Sequence, residues 1–167
     1  MAIGIGFDAV LFDLDGTLCG YAVGPLEALR RALARRDARL EARLDPEAFE
    51  ALCQAVWREG VRRTRAGEAN PFPLGAGAEA VARWLAAEVD DAAARRALER
   101  AYLDALMDEL RLLPGAEALL AALADRPLGL ITNGPSALQW GKIDRLGLRR
   151  RFDAIVVSGL TFTALNW

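Results

Sequence analysis

The sequence predicts an α/β fold: a doubly wound parallel sheet, incomplete at its C-terminal side, with an all-helical segment inserted after the first strand. Three observations carry this. Short apolar runs that read as buried parallel strands occur at residues 7 to 12 (FDAVLF), at Leu128 to Ile131 and at Ala154 to Val157. Helical periodicity separates the last two runs. Between the first two, from about Gly24 to Leu112, the pattern is helical throughout. The division that follows is a core of residues 1–21 and 113–167 with a helical insertion at 22–112.

Taken in order, the strand at 7–12 runs into Asp13-Leu14-Asp15-Gly16-Thr17, where Gly-Thr opens a turn. Leu26, Leu29 and Leu33 mark a first helix. Asp45-Pro46 supplies an N-cap and first-turn proline for a second, on which Phe49, Leu52, Cys53, Val56, Trp57 and Gly60 form the apolar stripe. Asn70-Pro71-Phe72-Pro73 breaks the pattern as a loop. Val81, Trp84 and Leu85 mark a third helix, and Leu98, Tyr102, Leu106 and Leu110 a fourth. Pro114-Gly115 restarts the chain, followed by a helix around Leu119, Leu120 and Leu123. Asp125-Arg126-Pro127 turns into the second strand, which Thr132-Asn133-Gly134 ends. A helix from Ala137 to Leu146, with Gly147 as its C-terminal stop, leads to the third strand.

Composition narrows the chemistry. The chain has 167 residues, 53% hydrophobic and 26% charged, which suits a packed globular protein. A net charge of −2 gives no electrostatic case for nucleic acid or an anionic membrane. The arginine clusters Arg30–Arg31 and Arg149–Arg151 lie among acidic residues and read as solvated helix faces. With no histidine, His triads, His metal sites and His general bases are excluded. The two cysteines, Cys19 and Cys53, lack metal-ligand spacing and fit a reduced, cytoplasmic chain, with Cys53 a small core residue. The N-terminus lacks the pattern of a signal peptide, and no apolar run is long enough to span a membrane.

The two carboxylates at the end of the first strand are the feature that demands explanation. Like charges this close are costly unless a cation compensates them or one stays protonated. In parallel α/β sheets ligands bind beyond the carboxyl ends of the strands, which is where Asp13, Asp15, Thr132 and Asn133 all fall. If the first two strands are neighbours, the carboxylates face a hydroxyl and a turn of N–H groups. A hard divalent cation such as Mg²⁺ would then suit the oxygen donors. Other motifs fail: an EF-hand loop starting at Asp13 would have Leu18 and Gly24 where it needs Gly and Glu, Gly4 and Gly6 precede the strand instead of following it, and there is no Walker A sequence. A plain turn, with Asp13 capping it, is the alternative.

Asp13-Leu14-Asp15-Gly16-Thr17-Leu18 behind an apolar strand resembles motif I of the haloacid dehalogenase-like (HAD) hydrolase superfamily, and Leu130-Ile131-Thr132-Asn133-Gly134 resembles its motif II. The helical insertion resembles the family's type 1 cap. Leu113-Pro114-Gly115-Ala116 resembles its return into the core, and Gly141 to Leu148 with Phe152 to Ser158 the segment leading to the third strand. The likeness runs over roughly residues 7 to 159. It implies a Mg²⁺-dependent phosphatase of small phosphorylated metabolites, a nucleoside monophosphate or sugar phosphate by family habit. Asp13 would be the nucleophile that forms an aspartyl-phosphate. Asp15 would protonate the leaving alkoxide and then deprotonate water. Asp13 and the backbone carbonyl of Asp15 would hold Mg²⁺, while Thr132 and the turn amides near Asn133 would bind the phosphoryl oxygens. The cap would choose the substrate, with Trp57, Trp84 and the arginines of the second cap helix as candidate contacts and Trp84 also fitting the cap core. True dehalogenases of the family lack the second Asp, so Asp15 favours phosphoester cleavage over carbon–halogen cleavage.

The resemblance stops near Gly159. The family's motif III lysine and motif IV acidic ligands have no counterpart: no Lys follows Lys142 and no Asp or Glu follows Asp153. Lys142, on the helix after the second strand, is expected to face solvent. Weak metal binding and an exposed apolar edge at the first strand are expected in consequence. Leu160–Trp167 reads as foreign to the family, as a frameshift, premature stop or partial gene would leave it. An inactive fragment and a phosphate-binding module without turnover are the rival readings. The sequence does not specify an oligomeric state.

Overall fold

A computed structural model describes residues 8–68, 71–72 and 74–158. Phe7, at the start of the expected first strand, Asn70 and Pro73 of the expected loop, and Gly159–Trp167 lie outside the described residues. The chain divides into two compact units, one containing residues 8–20 and 110–158, the other Tyr21–Glu109.

The core unit carries a three-stranded parallel sheet in the order β1 (Val10–Phe12), β4 (Leu128–Asn133), β5 (Ala154–Ser158). Phe12 stands opposite Leu130, and Leu130 opposite Ile155, so the carboxyl ends of all three strands share one rim. The central β4 is the most buried strand, as its apolar sequence requires; Leu128 and Leu130 are fully covered. Among the described residues β1 and β5 are the edges, with Leu11 63% and Val156 53% exposed. Across the β1–β4 pair the Leu11 side chain lies over Gly129, where a Cβ would stand 2.3 Å from Leu11 Cδ2. Phe12 and Phe152 meet edge to face at 6.1 Å between ring centroids. Asp153 fixes the start of β5, its carboxylate accepting from Leu128 N at 2.8 Å and its own N–H donating to Leu128 O at 2.8 Å.

Two further strands, β2 (Cys19–Tyr21) and β3 (Leu110–Leu112), form a separate pair where the chain leaves and rejoins the core. This corrects the expectation of helix through to Leu112. Leu110 keeps i+4 spacing with Leu106, but the helix stops at Asp108 and Leu110 is buried as a strand residue. The core therefore takes up Leu110–Leu112, which the sequence pattern assigned to the insertion. Gly115, at φ +86°, admits the turn into α6 (Ala116–Ala122), and α7 (Ser136–Arg145) connects β4 to β5 through a 3-10 turn at Leu148–Arg150.

The second unit is all helical: α1 (Pro25–Ala34), α2 (Ala38–Glu41), α3 (Pro46–Arg65), α4 (Ala76–Glu88) and α5 (Ala92–Asp108). α1 packs on α5, α3 on α4, and α4 on α5 around Leu29, Leu33, Phe49, Val56, Leu85 and Tyr102. Cys53 and Trp84 are half-buried against this core. Trp57, placed on the apolar stripe by spacing, is instead 64% exposed, because the buried face of α3 runs through Phe49, Val56 and Gly60. Asp45 caps α3 as its sequence predicts, accepting from Glu47 N at 2.9 Å and Ala48 N at 3.3 Å. Asp45→Ala is expected to cost about 1 kcal/mol, a fall of about 3 °C in the midpoint of helical melting followed by circular dichroism. An unchanged midpoint would show that the cap contributes nothing.

Candidate active site

The loop after β1 is built on Leu14, fully buried between two exposed aspartates. Its carbonyl accepts from Leu18 N at 2.9 Å, Cys19 N at 3.0 Å and, more loosely, Thr17 N at 3.4 Å. Gly16, at φ +76°, makes the reversal, a conformation that other L-residues adopt at a cost. The inward Leu14 side chain turns its neighbours outward, so Asp13 and Asp15 both leave the protein at the sheet rim. Asp13 Oδ2 accepts a long 3.3 Å bond from the Thr17 hydroxyl. Cys19 is buried beneath, its thiol pushed up to about 12 by burial first and by the nearby Asp15 charge second. It is therefore a neutral packing residue at ordinary pH.

On the facing strand Thr132 is buried and Asn133 half-buried. The side chain that joins the two strands is Gln139, from the first turns of α7. Its Nε2 lies 2.8 Å from Asp15 Oδ2, 2.5 Å from Thr132 Oγ1 and 2.9 Å from the Asn133 carbonyl oxygen. Gly134, at φ +137°, lets the chain turn tightly here; a Cβ would stand 3.3 Å from Gln139 Cδ. One turn further along α7, Lys142 Nζ donates to both oxygens of Asp15, at 2.7 and 2.9 Å.

The expected neighbourhood of β1 and β4 is thus present, and Asp15 and Thr132 meet at a single amide. Asn133 joins through its main-chain oxygen. Asp13 stands at the head of the same loop, its carboxylate held only by Thr17 among these groups. The expectation that Lys142 faces solvent is overturned: its side chain is 6% exposed. The periodicity of α7 explains why, since Gln139, Lys142 and Ile143 share its buried face. Sequence reasoning missed Gln139 and misplaced Lys142. The signal available was that Lys142 is the one lysine among 21 basic residues, in a chain that otherwise uses arginine.

The donor set at the loop is oxygen only, which suits a hard cation such as Mg²⁺. Among the described residues no cluster of three or more His, Cys, Asp and Glu exists, so side chains alone make no complete cage. Mg²⁺ fits such a sparse set because it retains several waters readily.

In the helical unit, Arg63 and Arg83 flank the Phe72 ring at 5.1 and 5.5 Å from its centroid. Both are tied to carboxylates of the same unit, Arg83 to Glu59 and Glu79 at 2.8 Å, and Arg63 to Glu59 and Glu68. A cavity of about 400 Å³ opens beside Trp57, Arg65 and Phe72. Among the described residues no helix is long and apolar enough to cross a membrane.

A parallel sheet carrying an Asp-x-Asp loop on one strand end and Thr-Asn on the next is the arrangement the sequence motifs called for. The chain belongs to the haloacid dehalogenase-like hydrolases, whose family model matches residues 7–163. Ribulose-1,5-bisphosphate 5-phosphatase of Halopiger xanaduensis is 32% identical over 161 residues, covering 90% of this chain and 62% of its own. Phosphoglycolate phosphatase of Rhodospirillum rubrum is 35% identical over 145 residues, covering 84% of this chain and 54% of its own. The chain thus spans less than two thirds of the length of either relative. In fold it is similar to 2-haloacid dehalogenase from Pseudomonas syringae pv. Tomato DC3000, with a TM-score of 0.58 at 23% identity over 91% of this chain and 64% of that one.

Proposed function

We propose that this protein is a phosphatase of small phosphorylated metabolites, working through an aspartyl-phosphate on Asp13. The observation that supports it best is the Gln139 amide, which draws the Asp15 carboxylate and the Thr132 hydroxyl to one point at the rim where Asp13 emerges. The two relatives that match 90% and 84% of this chain carry phosphatase names, which favours the same reaction class here.

Of the two loop carboxylates Asp13 has the fewer ties, one long bond from Thr17 against the three that hold Asp15, and so is the one available to attack phosphorus. Attack breaks the bond to the ester oxygen and leaves phosphate on Asp13, splitting one difficult displacement into two. Asp15, a carboxylate at rest, takes up a proton from solvent on its open side as substrate binds, gives it to the departing alkoxide, which is a poor leaving group without it, and takes a proton back from the water that cleaves the intermediate. The Thr132 hydroxyl and the amides of the turn at Asn133 donate to the phosphoryl oxygens, where charge is spread in the transition state. Asp13 and the Asp15 carbonyl would hold Mg²⁺, which supplies compensation for the negative charge gathered there. A helical cap unit inserted into the α/β core and a cytoplasmic setting complete the proposal; the two free thiols are in keeping with a reducing compartment.

The test is hydrolysis of an aryl phosphate by the purified chain with Mg²⁺. Turnover that falls to background on addition of EDTA and returns with Mg²⁺ is the expected result. Absence of turnover, with orthophosphate and Mg²⁺ still raising the melting temperature, would replace the enzyme by a phosphate-binding module. Absence of both would overturn the reading.

A further inference from the structure

We propose that Gln139 and Lys142 are positioning residues of this site, Lys142 holding the Asp15 carboxylate from the protein side and Gln139 setting the direction of the Thr132 hydroxyl proton; the inference rests on the phosphoryl-transfer reading of the site. The two residues lie three apart on α7, which places them on one helix face a turn apart. Gln139 is 1% and Lys142 5% exposed, whereas the Asp15 side chain is 44% exposed. Both grip Asp15 from within and leave its outer side open to substrate and water.

A buried ammonium is costly unless it is paired, and here both carboxylate oxygens pair it. The choice of lysine is informative because every other of the 21 basic residues is arginine. A compact ammonium can sit between a helix and a loop where a planar guanidinium fork needs more room.

Gln139 is constrained just as tightly. A carboxylate and a main-chain carbonyl can only accept, so the amide must present its nitrogen to them. Its two hydrogens serve three acceptors, the third being Thr132 Oγ1. A hydroxyl oxygen that accepts from Gln139 directs its own hydrogen elsewhere, free to meet a phosphoryl oxygen. Leucine at 139 would fill the space yet leave that hydroxyl without the donor that directs its hydrogen.

The single lysine makes the contact measurable without turnover. Acylation of the Lys142 amine by a small anhydride, followed by peptide mass spectrometry, is expected to be slow in the native chain and about 10–100-fold faster in Asp15→Asn, as loss of a hydrogen bond to a charged group implies. Equal rates would overturn the Lys142–Asp15 contact whatever the enzyme does. Kinetically, Lys142→Met and Gln139→Leu are each expected to lower kcat about 100-fold with KM changed less than about threefold, the pattern of an interaction used in the transition state. In Lys142→Ala, ethylammonium is expected to restore activity saturably. Loss that merely follows a lowered melting temperature, with no rescue by the amine, would overturn the positioning role and leave a structural one. A wild-type chain without turnover or phosphate binding, but with the Asp15-dependent amine protection intact, overturns the phosphatase reading and not the contact.

Discussion

Asp13→Asn is expected to reduce phosphoester turnover by about 10^4-fold or more while the protein stays folded. The side chain is exposed and receives one long bond from Thr17, so an isosteric amide removes the nucleophile and little else. An amide oxygen attacks phosphorus poorly and carries no charge to hold a cation. Steady-state hydrolysis of an aryl phosphate, with circular dichroism as the folding control, reads the effect. Retention of a tenth of the wild-type rate would move the nucleophile elsewhere. Asp15→Asn provides the contrast: the loss should be much larger on an alkyl phosphate than on a nitrophenyl phosphate, whose leaving group departs without a proton. Equal losses on both would deny Asp15 the acid's role.

Leu14→Ala should cost about 2–5 kcal/mol, lowering the thermal transition of the core unit by roughly 5–15 °C. Leu14 has no exposed surface, and its side chain is what holds the Asp-x-Asp loop inward while both carboxylates point out. Its carbonyl still accepts the amides of Leu18 and Cys19 after the substitution, so the effect isolates side-chain packing. Calorimetry detects it. A shift of less than about 1 °C would mean the loop is held by its main-chain bonds alone.

Much of this was readable in advance. The three core strands, the capping of α3 by Asp45 and the placement of both motifs on strand ends follow from local pattern, because each is fixed by residues adjacent in sequence. β2 and β3 escaped notice because three-residue strands carry no period of their own and exist only by pairing with each other. α2 was missed at four residues, although Asp37 caps it with bonds to Arg39 N and Leu40 N. Trp57 and Lys142 erred in opposite directions for one reason. Periodicity gives the spacing of a stripe, but which flank of it is covered depends on the neighbour, and that neighbour is distant in sequence.

The link between Asp15 and Gln139 joins positions 124 residues apart. A flexible loop of that length would oppose its own closure by an entropy growing as the logarithm of its length. Here most of the intervening segment is Tyr21–Glu109, whose five helices have a buried centre assembled largely from contacts among themselves. If these helices collapse first, the remaining search shrinks to the short stretches on either side. Late maturation of the aspartate loop, after the helices have gained amide-exchange protection, is what such a chain order favours.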